Sequence, residues 1–216
     1  MEHTKSFVPA LGHGWLTRFY DPVIALTLRE RELKARLIAQ TRISSGMRVL
    51  DFGCGTGTLA MMLKRAHPDA EVFGLDIDPE VLAIAREKIS RAGLAVELKE
   101  GRAAEAPFPN ASFDRVVTSL VLHHLTTEEK KEALSGLRRL LRPGGELHIA
   151  DFGPPQNPLM WAVSRVIRAL DGSDRTEVNL TGRLPGLVAG VGFAAVKECG
   201  EMMTPFGTVA FLRAGA

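Results

Sequence analysis

Residues 49–57 read Val-Leu-Asp-Phe-Gly-Cys-Gly-Thr-Gly, and no other stretch restricts the fold so tightly. An apolar run ends in an aspartate, glycines follow at positions 53, 55 and 57, and a helical pattern then runs to about Ala66. Glycine permits the sharp turn between a strand and a helix, and it lets a ligand lie against the main chain without meeting a Cβ. The helix that follows offers its first N–H groups without partners. In a nucleotide-binding sheet built from such units, the ligand lies outside the carboxyl ends of the strands.

The rest of the chain continues the alternation. Trp15 to Tyr20 is aromatic-rich, and Asp21-Pro22 opens a helical stretch to about Gln40. Residues 47–52, 71–75, 94–98, 113–119 and 146–150 read as strands. Asp78-Pro79-Glu80 starts a helix to about Arg91 with Asp as N-cap and Pro at the first helical position, and Gly93 stops it. Thr126-x-x-Glu129 is a capping box that opens a helix to about Leu141, and Pro143-Gly144-Gly145 reads as a turn. After a helix at about 181–189, residues 193–199 and 208–212 follow as strands with no helix between them, which predicts an antiparallel hairpin. The fold class is α/β, a doubly wound, mostly parallel sheet. The expected division is an N-terminal helical lid segment, 1–45, and a sheet domain, 46–216, with a helical insertion at about 153–175.

Charge and cysteines narrow the function classes. The formal charge of the 216-residue chain is +2, and Lys130, Lys131, Arg138, Arg139 and Arg142 stand near Glu128, Glu129 and Glu132, as on a solvated helix face. No nucleic-acid partner is expected. Cys54 and Cys199 are far apart and neither has a second ligand at zinc spacing, so a reducing compartment and no metal are expected. Residues 1–10 lack the apolar core of a signal peptide, and no run approaches the roughly 20 apolar residues of a membrane span. The expectation is a cytoplasmic protein with a small-molecule partner, peripheral membrane contact being left open. The oligomeric state is not legible.

Asp76 ends the second strand, where a carboxylate can accept the ribose hydroxyls of an adenosine. A dinucleotide site prefers G-x-G-x-x-G. Here the spacing is G-x-G-x-G, with Thr58 at the last glycine position, and Asp51 precedes the loop. A carboxylate repels a pyrophosphate and attracts an aminoacyl ammonium, which favours S-adenosylmethionine over a pyridine nucleotide.

Together, D-x-G-x-G-x-G at 51–57, Gly74-Leu75-Asp76, Phe113-Asp114-Arg115-Val116-Val117 and Leu141-Arg142-Pro143-Gly144-Gly145 resemble the class I S-adenosylmethionine-dependent methyltransferases, and most of all their bacterial small-molecule, quinone and lipid subgroup. The likeness covers about 48–151. It implies a Rossmann-like seven-stranded sheet with an antiparallel C-terminal hairpin strand. The cofactor is then S-adenosyl-L-methionine, leaving as S-adenosyl-L-homocysteine. The resemblance places Asp51 near the methionine ammonium, Gly53, Cys54 and Gly55 against the ligand, Asp76 on the ribose and Ile77 on the adenine. It also places Gly101, Arg102 and Ala103 at the adenine edge, and Ser119 and Leu120 on the methionine side. Many relatives carry an aspartate where Arg102 stands; arginine cannot accept a hydrogen bond there.

The acceptor is less defined. His123 and His124 follow the fourth strand at the mouth of the expected pocket, and histidine titrates near neutrality. The motif is similar to that of phosphoethanolamine-type N-methyltransferases, which implies a catalytic pair of His124 with Tyr20, the only tyrosine. His123, His124 and Tyr20 are thus the candidate acceptor contacts; the alternatives are that the histidines merely start a helix and that Tyr20 belongs to a lid. Residues 156–171 carry an apolar stripe, Leu159, Val163, Val166, Ile167 and Leu170, open to three readings: a packed helix, a lid over an apolar substrate, or a membrane or partner face. Met160, Trp161, Met202, Met203 and Phe206 suggest an apolar wall. The leading reading is methyl transfer to a small, partly apolar lipid, quinone or amine. The rivals are a dinucleotide-dependent oxidoreductase and a catalytically silent domain that binds S-adenosylmethionine.

Overall fold

A computed structural model describes residues 29–216; Tyr20, Trp15 and the first part of the expected 21–40 helix lie outside them. Seven strands form one sheet: β1 (Arg48–Phe52), β2 (Glu71–Asp76), β3 (Val96–Glu100), β4 (Phe113–Ser119), β5 (Leu141–Phe152), β6 (Ala194–Thr204) and β7 (Gly207–Gly215). Their order is β3-β2-β1-β4-β5-β7-β6. All pairings from β3 to β5 are parallel, and β7 runs antiparallel to both β5 and β6. The doubly wound sheet and its terminal hairpin are as expected.

Among the described residues, the helices are α1 (Glu30–Thr41), α2 (Thr58–Ala66), α3 (Pro79–Arg91), α4 (Thr127–Leu140), α5 (Pro158–Asp171), α6 (Ser173–Leu180) and α7 (Leu184–Gly190). Leu33 and Leu37 of α1 and Leu59 and Leu63 of α2 pack against Val49 and Val117 on one face of the sheet. Leu134 and Leu137 of α4 and Val188 of α7 pack against Leu50, Phe73 and Val116 on the other. Neighbouring residues of β1 thus serve opposite cores, as a strand covered on both faces requires. The described part of the 1–45 segment is therefore a layer of the core.

Local signals hold where the sequence places them. The Asp78 side chain accepts from the N–H groups of Glu80 and Val81, with Pro79 opening α3, and Thr126 and Glu129 form the reciprocal capping box of α4. Other expectations shift. β3 starts two residues later than 94, β6 runs on to Thr204, and α7 replaces the 181–189 helix. Pro143-Gly144-Gly145 is not a free turn but lies within β5. Phe113 faces Leu141 and Arg115 faces Glu146, so residues 142–145 bulge opposite Asp114. The Asp114 carboxylate accepts from Arg142 Nη1 at 2.8 and 3.0 Å and from the Arg48 N–H at 2.8 Å, pinning the bulge to β1.

Lys130 also departs from expectation. It is fully buried, not solvated, and its ammonium donates to the carbonyls of Leu125 and Arg175. Burial pulls its pKa down to about 8, against the raising effect of Asp151 and Glu129. Of the α5 stripe, Leu159 is exposed and Val163 half-buried; of the expected apolar wall, Met160 and Met202 are buried, whereas Trp161, Met203 and Phe206 are exposed.

Gly136 sets how closely α4 approaches the loop after β3. A Cβ there would stand 2.4 Å from the carbonyl oxygen of Ala103, a backbone atom with little room to yield. Gly136→Ala is therefore expected to destabilise the chain by roughly 1–3 kcal/mol, read as a lower urea midpoint; an unchanged midpoint means α4 does not pack this way.

Candidate active site

The strand order reverses between β1 and β4, since β2 and β3 lie to one side of β1 and β5, β7 and β6 beyond β4. The crevice at the carboxyl ends of such strands is where an open α/β sheet holds its ligand. Asp51, Asp76, Ser119 and Asp151 all stand at or next to these ends.

The glycine loop is anchored from β2. The N–H groups of Gly53 and Cys54 donate to the Leu75 carbonyl at 2.8 and 3.1 Å, and the Gly55 N–H donates to Asp76 Oδ2 at 2.7 Å. Asp76 Oδ1 accepts from the Asp78 N–H at 3.0 Å. Asp76 therefore spends part of its acceptor capacity on holding the loop, and burial raises its pKa in spite of these bonds. At Gly55, with φ 51°, a Cβ would meet nothing within 4 Å, so the loop is open on that side. At Gly53, with φ 68°, a Cβ would stand 2.3 Å from Cγ2 of Val121. Cys54 is buried, its sulfur lies against Gly74, and burial pushes its thiol pKa well up, so it packs as an inert wall.

Asp51 is a buried acid left partly unsatisfied. It is 1% exposed, and its Oδ2 is buried without a hydrogen-bond partner. Desolvation pushes its pKa up to about 7; Lys34 opposes the rise and Asp76 adds to it. An orphaned carboxylate oxygen beside an open glycine loop fits a cationic, nucleoside-bearing ligand.

The remaining expected contacts divide. Ile77 follows Asp76 half-buried, and the Gly101 N–H donates to the Asp76 carbonyl at 2.9 Å, so these residues adjoin the loop. Ala103 is buried in a 3-10 turn, whereas Arg102 is exposed. Ser119 Oγ is buried and unpartnered at the end of β4. Leu120 has φ 57°, a left-handed conformation that a side-chain-bearing residue adopts only under constraint.

On the β4–β5 side, sequence reasoning missed the central residue. Asp151 ends β5 fully buried and accepts five hydrogen bonds. The donors are the N–H groups of Val121 at 3.1 Å, Leu122 at 2.7 Å and Phe152 at 2.7 Å, His123 Nδ1 at 2.8 Å and Asn179 Nδ2 at 3.2 Å. Burial alone would raise its pKa, but His123 and the backbone donors overcome this and hold it below the ordinary carboxylate value. Asp151 is thus ionised and accepts from His123, so His123 Nδ1 carries a proton. The His124 ring lies tilted against that of His123, with centroids 3.9 Å apart. Burial and the neighbouring His123 pull the His124 pKa down to about 3, which makes it a weak proton acceptor. The expected Tyr20–His124 pair involves a residue outside those described. The signal for Asp151 was present: like β1 and β2, β5 carries an apolar run into an aspartate.

Comparison with known proteins places this geometry in a class. The methyltransferase domain family profile matches residues 49–145. An uncharacterized methyltransferase of Synechocystis is 32% identical over 156 residues, covering 72% of this chain and 71% of that protein. The chain belongs to the class I S-adenosylmethionine-dependent methyltransferase family. The demethylmenaquinone methyltransferase of Thermus thermophilus is 44% identical over 119 residues, which are 55% of this chain and 53% of that protein. The chain spans about half the length of the curated quinone methyltransferases it matches. A methyltransferase structure from Aquifex aeolicus superposes with TM-score 0.70 at 19% identity, covering 94% of this chain and 98% of that one, a likeness of fold. No helix among the described residues is long and apolar enough to cross a membrane.

Asp51 also yields a pH signature. Its pKa lies above the ordinary 3.8 in the folded chain, at about 7. The folded state therefore holds this proton more tightly than the unfolded one. Stability from this group is fully present below about 4 and is lost as pH rises through about 7. Asp51→Asn is expected to raise the ligand-free melting temperature by roughly 5 °C at pH 8, with the gain shrinking toward pH 5. A gain that does not depend on pH means Asp51 is not the titrating group.

Proposed function

We propose that the chain transfers a methyl group from S-adenosylmethionine to a small, partly apolar acceptor of the quinone or phenol type. The carrying observation is the buried, unpartnered Asp51 Oδ2 beside the open side of the Gly55 loop. A positive aminoacyl group there would satisfy the orphaned oxygen and restore its ionised form. A pyrophosphate would be repelled, which disfavours the oxidoreductase reading.

Asp51 then holds the methionine ammonium and Asp76 the ribose, with Gly53, Cys54 and Gly55 lying along the ligand and Ile77, Gly101 and the Ala103 backbone around the adenine. Ser119 and Leu120 border the methionine arm. Arg102 is left as an exposed neighbour. The bound donor supplies a methyl group already activated on sulfur, so the protein's work is alignment, exclusion of water and removal of any proton that the acceptor must lose.

For that proton the geometry supports His123 over His124. Its Nδ1–H is committed to ionised Asp151, which leaves Nε2 as the basic atom. His124, neutral through the physiological range, serves better as a neighbouring acceptor contact. The quinone class is supported by the names of the relatives and by the exposed apolar residues Trp161, Met203 and Phe206 on α5 and the hairpin. The cytoplasm remains the proposed location.

Labelled S-adenosylmethionine offered with a demethylated quinol, a catechol and phosphoethanolamine, and read by mass spectrometry, tests the acceptor. Label is expected in the quinol or the catechol; label in the amine alone overturns the class, and no transfer despite tight donor binding supports the silent-domain rival. With an accepted substrate, His123→Ala is expected to lower kcat about 100-fold or more, and His124→Ala much less, both at unchanged S-adenosylhomocysteine affinity. The reverse order restores His124 as the base. Asp76→Ala is expected to weaken S-adenosylhomocysteine about tenfold or more by calorimetry; unchanged affinity removes Asp76 from the site.

A further inference from the structure

The amino-acid end of the donor is a zwitterion, and Asp51 answers only its positive half. We propose that Lys34 binds the donor's α-carboxylate, so that α1 supplies the second half of the amino-acid subsite. The assignment rests on the donor reading above.

The direction of α1 carries the first part of the argument. At its C-terminus, the Thr41 carbonyl accepts from Arg115 Nε at 2.8 Å, near the start of β4, and Gln40 Nε2 lies 3.3 Å from His148 Nδ1 in β5. Leu33 and Leu37 are fully buried against the sheet and α2. α1 therefore climbs antiparallel to the strands, and at 1.5 Å per residue Lys34 stands roughly 10 Å above Thr41. That height brings it toward the carboxyl ends of the strands, where Asp51 lies.

The state of the side chain carries the second. Lys34 is only 13% exposed and pairs with Glu30, itself 12% exposed. Drawing an ammonium and a carboxylate out of water brings little net stability to a helix. The same ammonium is the leading opposing charge on Asp51, within electrostatic reach of its orphaned oxygen. An acid with a bare oxygen and a lysine carried toward the same strand ends match a zwitterion, with Glu30 pairing the lysine. An ammonium has three donors, so Lys34 can keep Glu30 and donate to a ligand carboxylate as well.

The test compares two ligands by calorimetry: S-adenosylhomocysteine, and 5′-methylthioadenosine, which keeps the nucleoside and thioether but lacks the amino-acid end. Lys34→Met is expected to weaken S-adenosylhomocysteine about tenfold or more while leaving methylthioadenosine within about twofold, and Lys34→Arg to recover most of the loss. The second ligand reports whether the variant still folds around its nucleoside site. Equal losses for both ligands, or undiminished S-adenosylhomocysteine binding, overturn the proposal. If the unaltered chain binds neither ligand, the donor reading itself fails.

Discussion

A carboxylate removed from water must find donors or lose its charge, and the aspartates that end β1 and β5 resolve this in opposite ways. Asp151 receives five donors and stays ionised below the ordinary carboxylate range. Its bonds tie the segment after β4, the end of β5 and, through Asn179, α6 into one unit. Asp51 is just as deeply buried but keeps one oxygen bare, and its pKa climbs to about 7. The saturated acid ties elements together, and the unsatisfied one keeps a bare oxygen at the glycine loop. Leaving Asp51 uncompensated costs the fold stability.

The sheet was legible because its signals are local. β1 is an apolar run followed by glycines, α3 carries its own cap and proline, and α4 its own capping box. What escaped depends on distant partners. β3 is an edge strand with the half-exposed sequence Val-Glu-Leu-Lys-Glu, so no apolar pattern fixes its register, and pairing with β2 does. α6 is short and polar, Ser-Asp-Arg-Thr-Glu-Val-Asn-Leu; it is fastened by Asn179 to Asp151 and by Lys130 to the Arg175 carbonyl. Lys130 sits in a run of charged residues, which reads as solvated unless the helix above it is known. For the site, the glycine loop and Asp76 stood out because chemistry and spacing coincide. His123 and His124 read alike in sequence, and only the carboxylate of Asp151, 28 residues beyond His123, separates their roles.

The two halves of the crevice are mechanically one. The Asp151 carboxylate accepts from the Val121 and Leu122 N–H groups, and the Leu120 N–H donates to the Ala150 carbonyl at 2.8 Å. These bonds hold Leu120 at a left-handed φ, a conformation that costs about 1 kcal/mol or more on its own. The turn they impose drives the Val121 side chain into the notch left by the missing Cβ of Gly53. Gly53 in turn begins the loop that Asp76 fastens at Gly55. A continuous chain of contacts thus runs from the His123–Asp151 pair through Val121 to the glycine loop. The glycine at position 53 makes room for Val121, which fills the space beside it, whereas the space beside Gly55 stays open.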